Sequence, residues 1–176
     1  ARMAVSLALT ATREGATLMN YTEVVGFQKE EGLINGLEVR DRIGGKNIQV
    51  KTKVVINATG VFSDYLIALD QPGAKPMIRP SQGVHIVLEK EFLNGPHAIM
   101  VPHTTDGRVL FAVPWNDYVV VGTTDTPIDE TLEEPIAQEE EIQFILDNAG
   151  AYMTKKPKRS DVKSVFAGLR PLAASE

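Results

Sequence analysis

The stretch that most constrains how this chain can fold is residues 109–127, VLFAVPWNDYVVVGTTDTP. Two apolar runs, 109–114 and 118–121, flank Asn116-Asp117, residue types that tolerate positive φ and close tight hairpin turns. Both runs are apolar at consecutive positions rather than alternating, so the hairpin is expected in the middle of a sheet with both faces covered. The second strand stops at Gly122 and runs into Thr123-Thr124-Asp125-Thr126-Pro127. Small polar residues at a strand end read either as a turn held by local side-chain-to-backbone hydrogen bonds or as a site carried on a rigid scaffold.

The remaining sequence surrounds this hairpin with mixed elements. Residues 2–14 are good helix formers with little polar face, which predicts a largely buried helix closed by Gly15 as its C′ residue. Residues 17–27 read as a strand, and 33–52 alternate around Gly44-Gly45 as a two-stranded meander with one wet face. Val54-Val55-Ile56 reads as a parallel strand ending in Asn57-Ala58-Thr59-Gly60, after which Ser63 and Asp64 suit the start of a short helix through Leu69. A strand followed by glycine and a helix start is where α/β folds bind phosphates and nucleotides, although no GxGxxG fingerprint occurs in the chain. Residues 71–76 form a Pro/Gly loop and a candidate subdomain boundary. Beyond it short strands crowd together at 77–79, 83–88 and 98–102, which suggests a mostly antiparallel sheet. Pro135 suits the first position of a helix whose apolar stripe is Ile142, Ile145, Leu146, Ala149 and Met153. A last strand at 162–167 ends in Gly168-Leu169-Arg170-Pro171.

Bulk properties narrow the function classes. The 176 residues carry a net charge of −5 and no cysteine. That argues against a general nucleic-acid partner and excludes disulfides, thiolate metal sites and a Cys nucleophile. No apolar run approaches the roughly 18 residues of a transmembrane helix. No GxSxG elbow, P-loop or HExxH helix is present, and the three histidines lack metal-pair spacing, so no metal site is expected. His85 lies inside the strand Gly83-Val84-His85-Ile86-Val87, where it is either a hydrogen-bonded core residue or a general base. His103 and His97 fall in loops. Arg170 follows a buried strand and a glycine, a placement that requires an anion, either a structural carboxylate or a substrate.

Five motifs then occur in a fixed order: Asn57-Ala58-Thr59-Gly60 with Ser63-Asp64; Gly83-Val84-His85; Pro102-His103-Thr104-Thr105-Asp106-Gly107-Arg108; Gly122-Thr123-Thr124-Asp125-Thr126-Pro127; and Phe166-Ala167-Gly168-Leu169-Arg170-Pro171-Leu172. Together they resemble FAD-dependent (aerobic) glycerol-3-phosphate dehydrogenase and its oxidase relatives over essentially the whole chain. The resemblance implies an internal piece of that enzyme, with the glycine-rich FAD fingerprint before residue 1 and cofactor determinants therefore incomplete, so that the chain alone would bind little FAD. The implied fold class is α/β (α+β). Residues 1–70 would be the later part of the FAD-binding domain, and residues 71–176 a substrate domain with a mostly antiparallel sheet and flanking helices.

The implied reaction is oxidation of sn-glycerol 3-phosphate to dihydroxyacetone phosphate, with electrons passed to a membrane quinone or to oxygen. His85 and Arg170 would be catalytic, with Arg170, Thr124 and Asp125 at the substrate. Val24, Ala58, Thr59 and Gly60 would meet FAD, Val24 near a strand end on the adenine side. Val61-Phe62 departs from the Pro-Trp that commonly follows the glycine in this family. The expected location is cytoplasmic, with peripheral attachment to the cytoplasmic membrane face in the full-length protein. The competing readings are another flavin-dependent amine or hydroxy-acid oxidase, and a non-catalytic ligand-binding domain.

Overall fold

The computed structural model describes residues 2–174. It separates into two compact units, one formed by residues up to 58 with 65–74, the other by 59–64 with 75 onward. The first unit opens with helix α1 (Arg2–Arg13), which closes in a Schellman motif: Gly15 takes φ +94° and Ala16 N–H donates to the Ala11 carbonyl. The predicted burial of α1 is not found. The helix buries none of its residues, and Met3, Val5, Leu7 and Leu9 all stay exposed.

Strands β1 (Thr22–Glu30), β2 (Leu33–Asp41) and β3 (Asn47–Lys51) follow as an antiparallel meander in that order. The turn at Gly45 is set by φ +70° and by a hydrogen bond to the Asp41 carbonyl. The Asp41 carboxylate accepts the Ile43 N–H, and backbone bonds from Gly44 and Ile43 hold it below the usual carboxylate range. Two expectations need correction. Val24 sits near the start of β1 rather than its end. Residues 54–56 join no sheet, and Val54 and Ile56 are exposed, because an apolar run becomes a strand only where another strand supplies backbone partners.

A 3-10 turn (Gly60–Phe62) leads into α2 (Ser63–Asp70), whose Ser63 hydroxyl donates to the Gly60 carbonyl at 2.7 Å. Asp64 stands in the first turn of α2, as expected. Its carboxylate accepts the N–H groups of Met77 and Ile78 and so anchors the start of the second unit's central strand. That strand, β4 (Ile78–Glu89), joins into one element what the sequence suggests as two. It is flanked on one side by β7 (Tyr118–Gly122) and β8 (Thr126–Pro127), and on the other by β9 (Ser164–Ala173). β6 (Leu110–Trp115) and β5 (Ile99–Val101) extend the sheet beyond β7, and every pairing is antiparallel. The β6–β7 hairpin turns at Asn116, which adopts φ +55° as its residue type allows.

One face of this sheet holds the core. Val84, Ile86 and Leu88 of β4 alternate inward and are fully buried. They pack with Leu110, Ala112, Val119 and Val121 against Ile142, Ile145, Leu146 and Ala149 of helix α3 (Glu139–Gly150). Burying each such side chain contributes about 1.5–3 kcal/mol. The helix begins at Glu139, not at Pro135, because Gln138 forms a capping box with Glu141. The expectation that both faces of the hairpin are covered fails for a simple reason. A single helix layer covers one face, and Phe111 and Val113 stay exposed on the other.

Candidate active site

Alternation along β4 sends Val84, Ile86 and Leu88 into the core and leaves Ser81, Gly83 and His85 on the open face. Antiparallel register then fixes their neighbours: Gly122 and Phe166 lie beside His85, Gly168 beside Gly83, and Arg170 beside Ser81. The sequence-predicted pair, His85 and Arg170, therefore shares one face of one sheet although 85 positions separate them in the chain.

The His85 ring stacks on Phe166, with centroids 5.0 Å apart and planes inclined by 7°. On its other side it lies across Gly122, where a Cβ would collide with the ring and come within 2.9 Å of the Val84 carbonyl. Partial burial lowers the His85 pKa below 6.5, and the positive charge of Arg170 lowers it further. At neutral pH the imidazole is neutral and keeps a lone pair able to accept a proton.

Arg170 crosses the face above Gly83, whose missing side chain makes room for it: a Cβ there would stand 2.5–2.7 Å from the guanidinium atoms. Its Nη2 donates to the Thr123 hydroxyl at 2.9 Å, and its Nη1 donates to the Thr124 carbonyl at 3.1 Å. Nη1 also pairs with the Asp125 carboxylate at 3.3 Å. Ser81 donates a very short hydrogen bond to the same carboxylate oxygen, and Arg108 donates to the Asp125 carbonyl at 2.6 Å. The structural-carboxylate reading of Arg170 is thus met in part, because the ion pair is about half exposed and leaves the guanidinium accessible from the open face. The third glycine, Gly168, has no atom within 4 Å of the place a Cβ would occupy. It is a bare step between Phe166 and Arg170 on β9.

Thr124 faces the other way. It is 2% exposed, and its hydroxyl accepts the Val84 N–H and donates to Glu141. It reaches the open side only through its carbonyl. Glu141 also accepts hydrogen bonds from Gln82, Thr126 and the Gln138 N–H. Burial raises its pKa, but these bonds together outweigh it and hold the carboxyl below its usual range. In the sequence Glu141 is one of three consecutive acids in an early helical turn. The Gln138-x-x-Glu141 spacing of a capping box is the signal that could have singled it out.

The cofactor candidates divide between the units. Thr59 and Gly60 belong with His85 and Arg170, and the 3-10 turn that Gly60 opens, at φ +60°, packs against β4 and β9. Val24 and Ala58 belong to the other unit. His97 and His103 are exposed. Among the described residues no group of three His, Asp or Glu side chains could hold a metal ion, and no helix is long and apolar enough to cross a membrane.

A family profile described as "FAD dependent oxidoreductase" matches residues 1–176. The chain is 41% identical to a probable mitochondrial glycerol-3-phosphate dehydrogenase of Dictyostelium discoideum, a match covering 99% of this chain and 29% of that protein. It is 39% identical to the mitochondrial glycerol-3-phosphate dehydrogenase of Homo sapiens, covering 98% of this chain and 25% of the relative. It therefore spans between a quarter and a third of these relatives' length. The glycerol-3-phosphate dehydrogenase from Bacillus halodurans, solved in complex with FAD, superposes with a TM-score of 0.85 at 32% identity over 93% of this chain and 33% of that one. An L-alpha-glycerophosphate oxidase from Mycoplasma pneumoniae, with FAD bound, shares the fold at TM-score 0.68 and 21% identity, over 95% of this chain and 43% of that one. The mixed α/β class with antiparallel sheets agrees with these structures.

Proposed function

The chain belongs to the FAD-dependent oxidoreductase family and is homologous to FAD-dependent glycerol-3-phosphate dehydrogenases, and we propose that it is the part of such an enzyme that oxidises sn-glycerol 3-phosphate at C2 to dihydroxyacetone phosphate. The observation that carries this reading is the pairing of a neutral imidazole and a guanidinium on one open sheet face beside the bare step at Gly168. In this reading residues 71–176 are the substrate domain and residues 1–70 are part of the FAD-binding domain.

FAD fits the residues present. The clear space over Gly168, bordered by the flat Phe166 ring, admits a planar ring system close to the backbone. Gly60 with Thr59 would line the cofactor. Accepting a hydride equivalent is the chemistry FAD supplies when bound. His85 takes or orients the proton of the substrate's C2 hydroxyl through its free ring lone pair. Arg170 stands beside the oxygen as negative charge develops on it and offsets that charge in a site partly shielded from water. Asp125, Thr123 and the Thr124 carbonyl hold the guanidinium so that little reorganisation is needed at the moment of reaction. The electron acceptor in this reading would be a quinone or oxygen, and the relatives are named as mitochondrial.

Anaerobic bleaching of the flavin by glycerol 3-phosphate tests this in the FAD-loaded full-length enzyme. His85→Ala and Arg170→Ala are each expected to slow bleaching by roughly 100-fold or more, with glycine unable to replace the substrate. Bleaching at the parental rate in both variants would remove the site assignment, and bleaching by glycine instead would move the enzyme to an amine-oxidising class.

A further inference from the structure

Glu141 lies on the covered side of the sheet, Arg170 on the open side, and one residue joins them. The Thr124 hydroxyl accepts the Val84 N–H at 2.9 Å, so its own proton must go elsewhere, and it goes to Glu141 Oε1 at 2.9 Å. Thr126 donates to the same oxygen at 2.7 Å. Oε2 accepts Gln82 Nε2 at 2.7 Å and the Gln138 N–H at 3.0 Å. A helix cap needs only the last of these. The other three bonds tie the first turn of α3 to β4 and to residues 124–126, the segment whose Thr124 carbonyl and Asp125 carboxylate receive Arg170. Glu141 is 5% exposed and Thr124 2%, so no solvent is at hand to replace a lost bond.

We propose that Glu141 is a positioning residue for Arg170, holding the 122–126 segment from beneath so that the guanidinium is presented at one fixed place on the open face. The role calls for a carboxylate, an acceptor-only group whose two oxygens can meet four donors. A glutamine has one such oxygen. Its amide would face either Gln82 and the Gln138 N–H, donor against donor, or the Thr124 hydroxyl, whose proton would then have no acceptor. This role rests on the reading that Arg170 meets the substrate, and the test separates the two.

The experiment uses the FAD-loaded full-length enzyme and compares Glu141→Gln, Arg170→Ala and the double variant in flavin reduction by glycerol 3-phosphate, with thermal unfolding alongside. Glu141→Gln is expected to lower the reduction rate at saturating substrate roughly 10-fold, since small misplacement of a catalytic group is costly. The double variant is expected to be no slower than Arg170→Ala alone, because the effect of Glu141 passes through Arg170. A purely structural role would lower Tm without that non-additivity. Parental rates in Glu141→Gln, or losses that multiply in the double variant, overturn the positioning role while leaving Arg170 in place. Parental rates in Arg170→Ala overturn the reading of Arg170 and this role with it. If Glu141→Gln does not fold, Thr124→Val removes only the connecting hydroxyl and is judged by the same outcomes.

Discussion

Replacing Gly83 by alanine should separate the stability of this fold from its chemistry. The new Cβ would stand 2.5–2.7 Å from three guanidinium atoms of Arg170, whereas ordinary contact begins at 3.4 Å. The guanidinium must therefore retreat by about 0.9 Å, and a displacement of that order costs roughly 100-fold in rate when the group has to meet a reacting atom. Stability responds far less, because the colliding atoms are the far end of a flexible side chain rather than backbone. The losses are the bonds to Thr123 and the Thr124 carbonyl and a half-exposed ion pair with Asp125, together about 1–2 kcal/mol once screening is allowed for. Alanine in place of glycine within a strand regains about 0.5–1 kcal/mol. The net change is about 0–1.5 kcal/mol, a Tm shift of about 2 °C or less for an enzyme as long as the relatives. Anaerobic stopped-flow reduction of the full-length enzyme by glycerol 3-phosphate, paired with thermal unfolding, reads both quantities. A parental reduction rate in a folded Gly83→Ala enzyme refutes the reasoning. So does a Tm collapse, which would mean that the backbone rather than the guanidinium gives way.

Gly122→Ala should behave differently, since its Cβ meets the His85 ring and also the Val84 carbonyl at 2.9 Å; Tm and flavin reduction should both fall, and a Tm within 2 °C of the parent, about the limit of a small effect, would contradict this. In an NMR titration His85 should have its midpoint below 6.5, and Arg170→Ala should move it upward by removing the nearby charge; a midpoint that ignores Arg170 rules out their proximity. The sign for stability follows: the unfolded chain binds this proton more readily, so stability falls as pH drops below 6.5 and levels off once the folded form is also protonated. Ile145→Ala, at a fully buried position under the sheet, should cost about 2–5 kcal/mol in urea unfolding; a loss below about 1 kcal/mol would mean that α3 does not cover the core.

Much of the second unit was legible in the sequence because its signals are local. The Asn116-Asp117 turn, the alternation around His85 and the stripe of α3 each depend on neighbours a few positions apart, and all three occur in the structure. The errors lie where a local pattern depends on a distant partner. The mostly apolar α1 reads as buried and residues 54–56 as a parallel strand, yet burial and pairing are properties of what packs against a segment, and α1, Val54 and Ile56 remain exposed here. Pro135 is a sound helix-start signal, but Gln138 and Glu141 satisfy the first N–H groups better and move the start to Glu139. Asp64 takes its expected place in the first turn of α2, but its bonds to the N–H groups of Met77 and Ile78 join positions that no local pattern connects.

The sequence alone determined the ingredients of the site: a histidine within an apolar strand, an arginine after a glycine, and a polar segment behind a hairpin. Their order along the chain carried the family resemblance that the comparisons bear out. It could not show that three glycines have three different tasks. Gly83 yields space to Arg170, Gly122 yields space to His85, and Gly168 leaves its space empty. Nor could it show that Thr124 turns its hydroxyl to Glu141 while offering its carbonyl to Arg170. These relations depend on antiparallel register, which sets β4 between β7 and β9 and puts residues dozens of positions apart within van der Waals reach. Register is decided by the packing of whole faces, so only the tertiary structure could reveal it.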